Sequence, residues 1–275
     1  MADSRRMCSN CRAFINASDK VCEYCGQQVG PRSIDLRMPD DLLGGLVPAR
    51  RAATSVLLLA NVGLYLGTVV VSMKAGNDGA FMNLDPRTLI IFGGMYREGL
   101  YVGDWWRVIT AGYLHGGLMH IGMNMWALMD IGPQVEEIYG TPRTVAIWTV
   151  ATALGFYLSY FFGTRLSIGA SAGIFGLIGA MIAVGMLHRT AMAQAIKSAY
   201  VRMAVYGIVI GLLGFLPIDN AAHIGGLAGG FGAAWLAGIE ARDGGMKDRV
   251  LRGVAAACVA VTLLAFLLMG LSVSR

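Results

Sequence analysis

Seven long apolar runs, with charge gathered mainly between them, constrain this chain more than any other feature. They fall near Thr54 to Met73, Leu114 to Asp130, Thr144 to Phe162, Ser171 to Leu187, Ala199 to Leu216, Ala221 to Ile239 and Gly253 to Val273. Runs of roughly twenty residues match the hydrocarbon thickness of a bilayer. Hydrophobic residues make up 56% of the 275 and charged residues 14%, against a charged share of about 25% in ordinary soluble domains. No soluble core needs so much apolar surface, so the fold expected is an all-α polytopic membrane protein. The second and fifth runs are short. The second is followed by Gly132, Pro133, Glu136 and Glu137, and its helix is expected to end there, against protein or at the membrane interface.

Charge placement gives an expected orientation. Arg50 and Arg51 precede the first run, Arg143 lies in the second connection, and Arg189, Lys197 and Arg202 surround the fourth. Arg242, Lys247, Arg249 and Arg252 crowd the sixth, whereas the third connection carries only Arg165 and the fifth no basic residue. The positive-inside rule then puts the N-terminus in the cytoplasm and the C-terminus outside, in a membrane of the bacterial inner type. The first apolar run begins beyond residue 50 with no short cleavable leader ahead of it, so the N-terminal arm is expected to remain in the chain. The first connection, about Lys74 to Tyr113, should be external. Its Leu89, Ile90, Ile91, Phe92, Tyr101, Trp105 and Trp106 suit either an interfacial segment or a folded loop over the bundle.

Ahead of the membrane stand Cys8-Ser-Asn-Cys11 and Cys22-Glu-Tyr-Cys25. Paired C-x-x-C knuckles satisfy tetrahedral zinc, and a ribbon of this size needs the metal to fold. Disulfides are the rival, disfavoured in a reducing cytoplasm. The expected organisation is a zinc ribbon over 1–30, a linker over 31–50 and a membrane domain over 51–275. The ribbon could receive a cytoplasmic partner or act as a bare structural cap; no nucleic acid is expected. Cys258, alone in the last run, reads as packing.

Two polar residues open separate apolar runs: Ser171, within Gly169-Ala-Ser-Ala-Gly173, and His223, followed by Gly226 and Gly230. A serine hydroxyl is a weak nucleophile that needs a base within about 3 Å, and imidazole titrates near neutrality. The chain has four histidines, and His115, His120 and His223 lie in or beside apolar runs, where an ionisable group is costly. Glycines at small-xxx-small spacing would let the Ser171 and His223 helices approach closely. In the inferred orientation Ser171, His223, His120 and Asn124 reach one depth, and His120 and Asn124 are one helical turn apart, able to face a developing oxyanion. Asp219 is read as lying in an external loop and Asp130 as deeper, neither of them catalytic. Glu136 is read as bonding helix ends, Arg107 as tying the first connection to the bundle, and His188 as solvated.

These pieces together resemble the rhomboid family of intramembrane serine proteases: Trp106-Arg107, His115-x4-His120-x3-Asn124, Gly132-x3-Glu136-x3-Gly140, Gly169-Ala170-Ser171 and Ala222-His223-x2-Gly226-x3-Gly230. The resemblance implies a six-plus-one helix bundle and a Ser171–His223 dyad without a third member. It further implies an oxyanion site of His120, Asn124 and the Ser171 N–H, and Phe175 packed near the His223 ring. Substrates would be membrane-anchored proteins cut in or beside a transmembrane helix, within the lipid bilayer. Ala172 departs from the glycine many relatives carry after the serine. A catalytically silent client-binding relative is the alternative, though such proteins typically lack the serine or histidine. A small-solute transporter would call for internal hydropathy symmetry that the chain does not carry.

Overall fold

A computed structural model describes residues 5–8, 11, 13–16, 19, 21–27, 41–42, 47–48, 51–162, 166–214, 217–239 and 245–273. Most of the expected linker, and Arg50, Arg165, Leu216 and Arg242, lie outside these residues. Strands β1 (Arg5–Met7) and β2 (Phe14–Asn16) pair antiparallel, as do β3 (Asp41–Leu42) and β4 (Val47–Pro48). The rest is helical: α1 (Ala52–Lys74), the short α2 (Pro86–Ile91), α3 (Arg97–Tyr101) and α4 (Arg107–Thr110), then α5 (Leu118–Tyr139), α6 (Thr141–Phe162), α7 (Ser171–Leu187), α8 (Ala191–Leu212), α9 (Asn220–Ala237) and α10 (Met246–Val273).

Helices α1, α6, α8 and α10 are long and apolar enough to cross a membrane, and α7 is a shorter apolar helix. The inner layer is α6, α7 and α9, whose glycines allow backbone to meet backbone. A Cβ on Gly226 would stand 2.2 Å from the Ala172 carbonyl oxygen, one on Gly230 2.2 Å from that of Gly176, and one on Gly155 2.8 Å from Ala172 Cβ. With so little side chain between them, the three helices associate through close van der Waals contact, the means available where lipid removes the hydrophobic drive. Large apolar residues such as Leu59, Leu66 and Val70 on α1 and Leu263 and Leu267 on α10 stay exposed around this layer. In water such a surface would be a liability; in lipid it faces its natural solvent.

Helix α5 does not end near Asp130 but runs through Pro133 to Tyr139. Proline removes one helical N–H, yet tertiary contacts hold the following turn in place. Gly132 packs on Thr54 of α1, and the buried Glu136 carboxylate accepts from Ala53 N at 2.8 Å, Thr54 N at 2.9 Å, Thr54 Oγ1 at 2.8 Å and Thr141 Oγ1 at 2.6 Å. It thus satisfies two of the unpaired N–H groups at the start of α1. Helix α8 likewise begins eight residues earlier than the apolar run suggests. Thr190 caps it, accepting from Ala193 N at 3.2 Å, and the Lys197 stem lies against Gly185. At this same end Arg143 and Asp248 form a buried ion pair joining α6 to α10.

The first connection is folded, combining the two expected characters. Leu89 and Trp106 are buried, whereas Ile91, Tyr101 and Trp105 are exposed. Buried Arg107 organises it, donating to the carbonyls of Ile90 at 2.7 Å and Gly94 at 3.1 Å and pairing with Asp104 at 2.9 Å. The guanidinium also lies over the Trp106 and Tyr96 rings.

Candidate active site

The segment entering α7 is fixed from three sides. Met95 and Ser167 exchange backbone hydrogen bonds at 3.1 and 2.8 Å, binding the first connection to this segment, and Gly169 N donates to Ala111 O at 2.9 Å. Gly169 has φ +124°, a conformation side chains avoid, and a Cβ there would stand 2.7 Å from His120 Nε2 and 3.7 Å from Ser171 Oγ. The imidazole of His120 and the hydroxyl of Ser171 therefore border one point beside Gly169.

The tautomer of His120 follows from its other nitrogen. Nδ1 accepts from Gly116 N at 3.3 Å, so the neutral ring carries its proton on Nε2, the atom that faces Gly169. His115, fully buried, meets the His120 ring edge-on at a centroid separation of 5.0 Å and supports it. The helical ladder of α7 opens with Ile174 N donating to Ala170 O at 3.0 Å. The N–H groups of Ser171, Ala172 and Gly173 precede it, leaving the positive end of the helix dipole at the same point. Asn124 lies one turn beyond His120. Its amide donates to the His120 carbonyl at 3.0 Å, which leaves one N–H for another acceptor.

His223 sits in the first turn of α9, 7% exposed, its ring stacked on Phe175 with centroids 4.0 Å apart and planes 14° from parallel. No hydrogen bond joins it to Ser171 among the described residues, though α7 and α9 touch close by, at Ala172, the residue after Ser171, and at Gly226, one turn after His223.

The glycines flanking Ser171 differ from expectation in what they face. Gly169 makes room for His120, and Gly173 lies against the Trp148 indole of α6, a Cβ there coming within 2.8 Å. The α9 contact uses Ala172, Gly176 and Gly179 instead, because the α7 face toward α9 is offset from that of Gly169 and Gly173. The Ala172 methyl fits because Gly155 lies opposite. Asp219 is the N-cap of α9 rather than free loop: it accepts from Ala222 N at 3.0 Å and from Ser167 Oγ at 2.5 Å, and also from Ser159 Oγ. It ties the end of α6 and the segment entering α7 to the start of α9. The bonds from Ser159 and Ser167, far away in the chain, have no local sequence signal.

In the N-terminal arm, buried Cys8 and Cys22 and exposed Cys11 and Cys25 bring their sulfurs within 4.8 Å of one another. Cys8 and Cys25 are 3.7 Å apart and Cys11 and Cys22 3.6 Å. Those spacings exceed a disulfide bond by far and suit the roughly 3.8 Å edge of a tetrahedron with metal–sulfur bonds of about 2.3 Å. The four cysteines could hold one metal ion. The Ala13 backbone hydrogen bond lowers the Cys11 thiol, but the neighbouring sulfurs push it up to about 12.

The family model for the Rhomboid domain matches residues 102–240. The chain is 35% identical over 177 residues to "Rhomboid protease GluP" of Bacillus subtilis (strain 168), covering 64% of this chain and 34% of that protein. It is 31% identical over 196 residues to "Rhomboid-like protease 2" of Toxoplasma gondii, covering 70% and 68%, and 36% identical over 149 residues to "RHOMBOID-like protein 5" of Arabidopsis thaliana, covering 52% and 48%. The chain spans a third to a half of two of these relatives, 34% of the first and 48% of the last.

Proposed function

Because this chain belongs to the rhomboid family, an integral membrane protein by that membership and its apolar helices, we propose that it is a serine endopeptidase. It cleaves membrane-anchored proteins within or beside a transmembrane helix. The observation that carries this reading is the point beside Gly169 bordered by both Ser171 Oγ and the His120 Nε2 edge. A scissile carbonyl carbon near Ser171 would direct its oxygen there.

In the proposed reaction Ser171 Oγ attacks the carbonyl carbon while His223 takes the hydroxyl proton. The tetrahedral oxyanion receives hydrogen bonds from His120 Nε2–H, the Ser171 N–H and the spare Asn124 N–H. Collapse expels the new amine, to which His223 returns its proton, leaving an ester on Ser171. Water, deprotonated by His223, then attacks the ester, and as the acyl–oxygen bond breaks His223 returns that proton to Ser171 Oγ and the acid is released. Phe175 and His115 act by positioning, Phe175 beneath His223 and His115 behind His120, while Gly226 and Gly230 set how closely α9 approaches α7. A substrate carbonyl must leave its own helix to be attacked, which favours substrates with Gly or Ala near the cut. Cleavage of a transmembrane reporter in liposomes by the purified protein, abolished in Ser171→Ala and in His223→Ala, is the expected result. Undiminished cleavage by either variant contradicts it.

The basic residues at the Glu136 end support an orientation with that end, and the N-terminal arm, in the cytoplasm of a cell whose inner membrane holds the bundle. A cysteine introduced at Asp78 should then react with an impermeant external thiol reagent and one at Met192 should not; the reverse pattern refutes the orientation. In the cytoplasmic arm, residues 1–30, the metal is zinc with a structural role: four thiolates in a tetrahedron suit it, and the membrane chemistry needs no cofactor. A cytoplasmic partner for the ribbon belongs to the same proposal, tested by co-purification that is lost when the four cysteines become serine.

A further inference from the structure

Helix α8 is sparsely packed, with only Ala193, Tyr200 and Ala204 buried among its 22 residues. Yet it has no spare room where it passes the stacked pair of Phe175 and His223. A Cβ on Gly207 would stand 2.6 Å from Phe175 Cζ and 3.3 Å from Cε2, against an ordinary carbon contact of about 3.5–4.0 Å. One turn on, Gly211 faces Asn220, whose Oδ1 would lie 2.4 Å from a Cβ there, and Asn220 Nδ2 donates to Ile208 O at 3.1 Å. Two successive glycines of α8 thus receive side chains from the elements that carry the Ser171 and His223 constellation.

The Phe175 ring is rigid and committed on two sides. Its tip abuts Gly207, and its face carries the His223 imidazole at a centroid separation of 4.0 Å. Anything that pushes the tip slides or tilts the surface on which the imidazole rests. Helix α8 has little packing of its own to define its place, so this contact couples its position to the ring.

We propose that Gly207 is a positioning residue, through which α8 sets the orientation of His223 by way of Phe175. The inference rests on His223 being the general base. It deepens that reading by assigning a helix that contributes no reacting group a part in aligning the base.

The test uses the full-length protein in liposomes, with rates referred to the folded fraction. Gly207→Ala should lower kcat by about tenfold or more with KM little changed, since misplacement by about 1 Å is costly. Labelling of Ser171 by a fluorophosphonate should slow in proportion. In a Phe175→Leu background, slower in itself because the stacked ring is gone, Gly207→Ala should cost less than about twofold more, a coupling between touching residues that a general packing defect does not produce. Val209→Ala, on the exposed face of α8, should leave activity unchanged. The proposal is overturned if Gly207→Ala retains wild-type kcat, or if it lowers kcat by the same factor in the Phe175→Leu background as in the wild-type protein. Ser171→Ala separates the two readings. If it cleaves normally, the serine mechanism itself fails; if it is inactive while Gly207→Ala is normal, only the role of Gly207 fails.

Discussion

Gly226→Ala adds one methyl to α9 at the point where α9 and α7 touch. The new Cβ would stand 2.2 Å from the Ala172 carbonyl oxygen and 2.9 Å from its carbon, whereas carbon–oxygen contacts in helix pairs settle at about 3.3–3.6 Å. The helices must therefore separate locally by about 1 Å, and because the opposing atoms are backbone, no rotamer change relieves the clash. His223 rides on the same helix one turn away, and Ser171 is the residue before Ala172. A displacement of about 1 Å between reacting groups costs roughly a hundredfold in turnover, and overpacking costs about 1–3 kcal/mol of stability. Turnover of a transmembrane reporter and thermal melting in detergent measure both effects. Gly232→Ala is the control, on the same helix with nothing within 4 Å of the added methyl. If Gly226→Ala turns over at the Gly232→Ala rate and melts at the same temperature, helix separation does not govern the site.

The oxyanion assignment predicts that His120→Ala and Asn124→Ala each lower turnover on the order of a hundred- to thousandfold while Ser171 can still be labelled; wild-type cleavage by both would reduce the pair to a structural contact. The arm should bind one zinc per chain through Cys8, Cys11, Cys22 and Cys25. With the free Cys11 thiol pushed up to about 12, the metal must displace protons, so affinity should fall as pH is lowered. Metal analysis across a pH series checks this, and zinc retained after all four Cys→Ser changes would contradict it.

Much of the bundle is readable in the sequence because lipid forces every crossing segment to be apolar and helical, and so writes the spans into composition. Boundaries are less readable. Pro133 reads as a stop, and only the four hydrogen bonds converging on Glu136 from α1 and Thr141 explain why α5 continues. Lys197 hides the first two turns of α8 for the same reason: what holds them is a Thr190 cap and contact with another helix. At the site, Ser171, His120 and His223 stand out as polar groups where polarity is costly. Their supports do not. That Gly155 faces Ala172, or that Asp219 receives Ser159 and Ser167, depends on which faces meet in three dimensions, which the periodicity of one helix does not encode.

The central claim is that Ser171 is a nucleophile activated by His223, and mass spectrometry of the protein after reaction with a fluorophosphonate tests it most directly. The account predicts a single adduct on the peptide containing Ser171, absent in Ser171→Ala and formed far more slowly in His223→Ala. An adduct on a different residue, or labelling undiminished in Ser171→Ala, would contradict it.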